Sequence, residues 1–314
     1  MTRRRAWAEN PQVGGAISVA VGWTSVPSFL SRVLRKADLR HSPLSDAPDA
    51  LVDGAELVAR FGYGARGLVY FSVGALSLLA VMLPTVEATS PSGALGWLSQ
   101  QPLGRLWLLF TALGLAAFAA WRVLQSVFDA DRQGRSRRAL SARASQGFSG
   151  IGYAVLAWSA MSLLVHAPAD PAAAEVERSH QQAEQMLALP HGHLMLAGVA
   201  IALAGVGLAN ISRAWREDFT AYLRCSKSLC RRVAPLARAG YIARGFAYLP
   251  LAALVMIAAI RSRPSDVTSL GGALDAMADQ PLGGAVLVLA ALGFMAFGVF
   301  SFVEARFRKI RLAP

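Results

Sequence analysis

Six apolar stretches free of charge dominate the chain, at residues 67–83, 106–121, 147–165, 194–211, 245–260 and 282–303. None contains Asp, Glu, Lys, Arg or His. Each approaches or reaches the ~20 residues that a helix needs to cross a ~30 Å hydrocarbon core. Apolar runs of this length predict membrane-spanning helices rather than strands. The polar segments between them alternate in charge. Those up to Arg66, from 122 to 146, from 212 to 244 and from 303 onward hold 27 Lys and Arg residues. The three other loops hold four, namely Arg105, Arg178, Arg261 and Arg263, together with eight acidic residues. Basic loops stay on the cytoplasmic side, so both termini are expected in the cytoplasm. Pro250 lies deep in the fifth span and predicts a kink there.

The spans are repeated in pairs. Ala59-Arg60-Phe61-Gly62-Tyr63-Gly64-Ala65-Arg66-Gly67, closing at Tyr70, recurs as Ala237-Arg238-Ala239-Gly240-Tyr241-Ile242-Ala243-Arg244-Gly245, closing at Tyr248. A diverged copy runs from Ala142-Arg143 to Tyr153, with Ser145, Gln146 and Ser149 in place of Gly, Tyr and Arg. The copies lie 83 and then 95 residues apart. The second span of each pair has an opening motif of its own, Gln101-Pro102-Leu103-Gly104 and Gln280-Pro281-Leu282-Gly283, answered in the middle copy by Leu189-Pro190-His191-Gly192. Proline suits the first turn of a helix, and the residues before it predict a short helix or turn on the outer surface. The pattern predicts an all-α integral membrane protein of six transmembrane helices. They form three tandem parallel two-helix repeats, at 57–130, 140–222 and 235–310, in a pseudo-threefold bundle. Residues 1–56 read as a basic arm on the inner membrane surface, with a linker from His41 to Asp53.

Three units opening Ala-Arg-x-Gly-Tyr-x-Ala-Arg-Gly, with second helices led by Gln-Pro-x-Gly, resemble the bacterial membrane family catalogued as domain of unknown function 1206. The resemblance covers about residues 57–310. It implies the architecture and lends no catalytic residues.

Composition agrees: 54% of residues are apolar and 16% charged. The net charge of +12 is explained by topology, and no nucleic-acid partner is expected because no recognition module accompanies it. Cys225 and Cys230 form no Cys-x-x-Cys and read as reduced thiols in a cytoplasmic loop.

The candidate site is the pair Arg66–Tyr70 and its copy Arg244–Tyr248, each four residues apart on one helix face. At the mouths of the first and fifth spans they read either as snorkelling anchors or as a site for a lipid headgroup or other anion. Gln125, Asn210 and Glu304 read as water-facing caps. Gly62, Gly64, Gly67, Gly74, Gly114, Gly205, Gly240, Gly245, Gly293 and Gly298 read as packing residues. His166, His180, Glu184, His191 and His193 have metal-ligand chemistry but match no established spacing, so neither metal nor cofactor is expected. Charge-free spans and basic loops point to a non-enzymatic scaffold or accessory subunit of the inner (plasma) membrane. Its expected partners are the bilayer, anionic lipids at the cytoplasmic face, and a protein at the basic loops. The alternative is a channel or transporter for a small solute or ion.

Overall fold

The computed structural model describes residues 49–309, apart from 84–87, 130–133, 135, 167, 169 and 279, all within the unit Ser42–Pro314. Most of the N-terminal arm lies outside the described residues. The helices in chain order are α1 (Asp49–Met82), α2 (Pro91–Ser99), α3 (Gly104–Phe128), α4 (Arg137–Val165) and α5 (Pro171–Leu187). They continue as α6 (Gly192–Arg216), α7 (Lys227–Arg261), α8 (Leu270–Ala278) and α9 (Gly283–Phe307). Six of them, α1, α3, α4, α6, α7 and α9, are long and apolar enough to cross a membrane. Large side chains stand bare on the outside, with Phe148, Trp158 and Trp215 75%, 75% and 76% exposed, as lipid-facing residues are. The chain is a multi-pass membrane protein.

The first helix of each pair starts earlier than its apolar run. Helices α1, α4 and α7 begin at Asp49, Arg137 and Lys227, so the arginine-bearing motifs are helical; Asp49–Asp53 is helix instead of linker, and the rest of the expected linker lies outside the described residues. Ser136 and Ser226 cap α4 and α7, their hydroxyls accepting from the Ala139 and Leu229 amides at 3.1 and 3.4 Å. Helix α7 runs unbroken through Pro235 and Pro250. Between α6 and α7 the structure joins Cys225 to Cys230 in a disulfide, which corrects the reading of free thiols. Cys225 precedes the Ser226 cap and Cys230 lies in the first turn. That brings their Cα atoms to 5.7 Å, within disulfide reach.

Packing runs mainly between repeats. The second span of each pair lies along the first span of the next: α3 on α4, α6 on α7, and α9 back on α1. One register recurs at all three crossings. A Cβ on Gly67 would meet the Gly298 carbonyl at 3.1 Å, one on Gly245 the Gly207 carbonyl at 2.6 Å, and one on Gly150 the Ala119 carbonyl at 3.4 Å. Small residues are needed there because apolar burial does not drive helices together in lipid, whereas close backbone approach does. Gly62, Gly74, Gly114, Gly240 and Gly293 are close contacts of the same kind. Gly64 and Gly205 are corrections, since a Cβ on either would meet nothing within 4 Å. Within pairs, α1 packs on α3 and α7 on α9, but among the described residues α4 and α6 form no such packed pair.

The motif before each second span is a turn rather than a helix start. Leu103, His191 and Leu282 all have positive φ, at 61°, 61° and 69°. The glycine after each opens its helix. A Cβ on Gly104, Gly192 or Gly283 would lie 2.0–2.3 Å from a carbonyl ending the preceding short helix. Glycine is therefore required, and the proline sits in the turn before the helix instead of in its first turn.

At that end of the bundle the three repeats are tied together. The Ser90 hydroxyl donates to Glu175 of α5 at 2.7 Å, and the Ala88 amide donates to Asp275 of α8 at 2.8 Å. Burial pushes the Glu175 carboxyl above its ordinary range, although the Ser90 hydroxyl pulls it partly back.

Candidate anion site

In the first two copies the leading arginine of the repeated motif closes the helix that precedes it around the bundle. Arg60 Nη1 donates to the carbonyls of Ala305 and Arg306 at 2.9 and 2.7 Å. Arg143 donates from Nε and Nη2 to those of Ser126 and Val127 at 2.9 and 2.8 Å. Counted from the opening glycines of α9 and α3, these carbonyls hold the same register. A C-terminal helix end leaves carbonyls without intrahelical donors, and the guanidinium satisfies two at once.

The second arginine of the motif points inward. Arg66 is 1% exposed, enclosed by the rings of Tyr63, Phe118 and Phe297 at 5.0, 4.9 and 5.0 Å. Its Nε donates to Ser301 Oγ at 3.1 Å, and its Nη2 is ion-paired with Glu304. Glu304 also accepts from Arg308 Nη1 at 2.5 Å. This replaces the snorkelling reading, because a guanidinium with a carboxylate, a hydroxyl and three ring faces has no reason to reach for the headgroups. Glu304, Gln125 and Asn210 are likewise buried, at 4%, 0% and 7% exposed, instead of facing water. Asn210 turns its amide back onto the Val206 carbonyl at 2.8 Å.

Arg244 also lies among the helices, but in other company. Its guanidinium sits over Tyr70, Phe297 and Tyr153 at 4.9, 5.4 and 6.0 Å, and Nη1 donates to the Tyr153 hydroxyl at 3.4 Å. The phenols of Tyr153, Tyr70 and Tyr248 are its electrostatic neighbours. These are the closing tyrosines of all three copies of the motif, so the three repeats converge on one arginine. Among the described residues no carboxylate pairs with it, and its Nε is buried without a hydrogen-bond partner. Arg244 thus keeps its expected neighbour Tyr248 and also receives Tyr70 of the first repeat, while Arg66 turns to Glu304.

The loop after α6 folds over this end. The amides of Arg224 and Lys309 donate to the carbonyls of Phe307 and Tyr222 at 2.7 and 2.8 Å. Phe219 stacks on Tyr241 at 4.8 Å. Among the described residues no three His, Cys, Asp or Glu side chains converge as metal ligands, so the histidines of the middle pair are not brought together as such a site.

The family described as Domain of Unknown Function (DUF1206) matches residues 61–129, 144–217 and 239–308. The chain belongs to this family. The matched segments coincide with the three helix pairs. The chain is also similar to the "Uncharacterized protein YxxB" of Bacillus subtilis (strain 168). The two are 29% identical over 249 residues, spanning 78% of this chain and 88% of that protein. No solved structure matches.

Reading the sequence missed Glu304 as the partner of Arg66. A signal was present, since Gln125, Arg213 and Glu304 each stand 21 residues after the glycine that opens their helix. They form one register with three different charges.

Proposed function

We propose that this protein binds an anion inside its helix bundle and works as a channel or transporter rather than as a scaffold, without catalysing a reaction. Its place would be the plasma membrane with both termini in the cytoplasm, the orientation that the distribution of basic residues favours. The observation that carries the reading is Arg244, a cation among spanning helices whose neighbours are phenols and rings and whose Nε has no partner. A charge in such surroundings is expensive when unpaired. It is compensated when an anion enters between the guanidinium and the hydroxyls, which together offer charge and hydrogen bonds. Spanning segments with so few ionisable groups argue against proton coupling, so passive or exchange movement is the form expected.

The test is anion flux in liposomes holding wild-type protein or Arg244→Gln, with folding of both checked by circular dichroism. Uptake of chloride, nitrate, acetate or phosphate by wild-type protein, falling at least about tenfold in the variant, is the expected result. Equal flux in the two proteins, or none from folded wild-type protein, overturns the reading in favour of the scaffold.

A further inference from the structure

At the basic end a cavity of about 380 Å³ is lined from the middle repeat by both α4 and α6, and from the third by α7 and the end of α9. Its volume is at the lower end of the ~300–1,000 Å³ range of small-molecule pockets. The cavity lies where the middle copy of the motif departs from the other two. Tyr63 and Tyr241 fill their positions with buried rings; the middle copy has the smaller Gln146 there, which lines the cavity together with Tyr241. Among the described residues the two spans of the middle repeat do not pack along each other, and Arg213 bridges them by donating to Ser145 Oγ at 2.7 Å.

Three arginines from three elements line it: Arg122 of α3, Arg213 of α6 and Arg308 beyond α9. Two carboxylates face them, and both are already engaged. Glu304 is shared by Arg66 and Arg308, and Glu217 pairs with Arg213 at 3.3 Å. Arg122 Nη1 donates to Gln125 Oε1 at 3.2 Å, while Arg122 Nε is buried without a partner. Among the described residues, and with Arg66 included, four arginines thus stand against the two carboxylates Glu304 and Glu217.

We infer that this cavity binds a phosphate-type oxyanion, either free phosphate or the headgroup of an anionic phospholipid. Several planar guanidinium forks on different helices suit a tetrahedral, multiply charged oxyanion better than a halide. The site is separate from Arg244, and its occupancy does not depend on whether anything crosses the membrane.

Inorganic phosphate would be titrated into detergent-purified protein, with binding followed by calorimetry. In parallel, phosphatidylglycerol and phosphatidylcholine retained by the protein would be counted by native mass spectrometry. The variants are Arg213→Gln and Gln146→Glu, which places a negative charge in the cavity without removing an arginine. Arg105→Gln, exposed at the opposite end, is the control.

The expected result is binding of phosphate, of phosphatidylglycerol over phosphatidylcholine, or of both. That binding weakens at least about tenfold in both cavity variants and is unchanged in Arg105→Gln. Phosphate binding alone identifies a solute site, and selective lipid retention alone identifies a headgroup site. Binding lost in Arg244→Gln but kept in Gln146→Glu would overturn the inference by moving the anion to the deeper arginine. So would folded wild-type protein that binds neither.

Discussion

Arg66 lies between Phe118 and Phe297 with Glu304 at its guanidinium; Arg244, its counterpart in the third repeat, lies over Tyr70 and Phe297 with phenols alone. The difference comes from the facing helix. Arg66 meets α9, which carries Glu304, while α7 packs on α6, which carries Arg213 in the same register. The middle crossing sets Ser149 of α4 in register with Gln125 of α3. One backbone crossing, used three times, thus holds an ion pair, a neutral pair and two cations. Arg66 is satisfied by protein and serves the fold. Arg244 donates to the Tyr153 hydroxyl, and its Nε is buried without a hydrogen-bond partner.

The comparison breaks most sharply at Glu304. Glu304→Gln leaves Arg66 and Arg308 buried without their carboxylate, and removing one partner of a buried pair costs about 3–5 kcal/mol. Arg244→Gln removes a cation that has no carboxylate partner among the described residues, so its thermal unfolding temperature in anion-free buffer should equal or exceed that of wild type. Equal losses in the two variants would mean that Arg244 is as structurally paired as Arg66.

A middle-sized effect separates the crossing from the arginine it carries. In Gly245→Ala a methyl group would lie 2.6 Å from the Gly207 carbonyl, forcing α6 off α7 at a cost of about 1–3 kcal/mol. Gly205→Ala meets open space and should be neutral or gain up to ~1 kcal/mol from helix propensity. Thermal melts of both in one detergent decide the matter. A destabilised Gly205→Ala would place α6 in a different register.

The smallest effect concerns a buried carboxyl held by a hydroxyl instead of by arginines. The folded-state pKa of Glu175 is raised by burial. The folded protein therefore holds this proton more tightly than the unfolded chain does. Stability should fall as pH rises from the ordinary carboxylate range, about 4.3, through the raised value. Melts from about pH 4 to 7 should show this slope in wild type and a shallower one in Glu175→Gln. An unchanged slope would assign it to another group.

Much of this was legible in the residues. The spans, their pairing and the recurrence of Arg66 as Arg244 are patterns of composition and spacing, and the close glycine contacts follow from the need for small residues in lipid. The errors share one cause. Glu304, Gln125 and Asn210 stand near helix ends, and a helix end looks like a water boundary until the neighbouring helix is known. The proline before each second span looked like a helix start because the left-handed turn at Leu103, His191 and Leu282 is fixed by contact with the short helix before it. Cys225 and Cys230 were too close in sequence to suggest a framework, yet the Ser226 cap folds one back beside the other.

The sequence by itself determined that this chain is a membrane protein of three repeated helix pairs with its basic residues gathered at one end. Hydrophobic length and charge distribution act locally and need no partner to be read. Only the tertiary structure decided that Arg66 finds a carboxylate and that, among the described residues, Arg244 does not. The energy of a buried charge depends on which helix lies opposite, and that is set by the packing order of the spans.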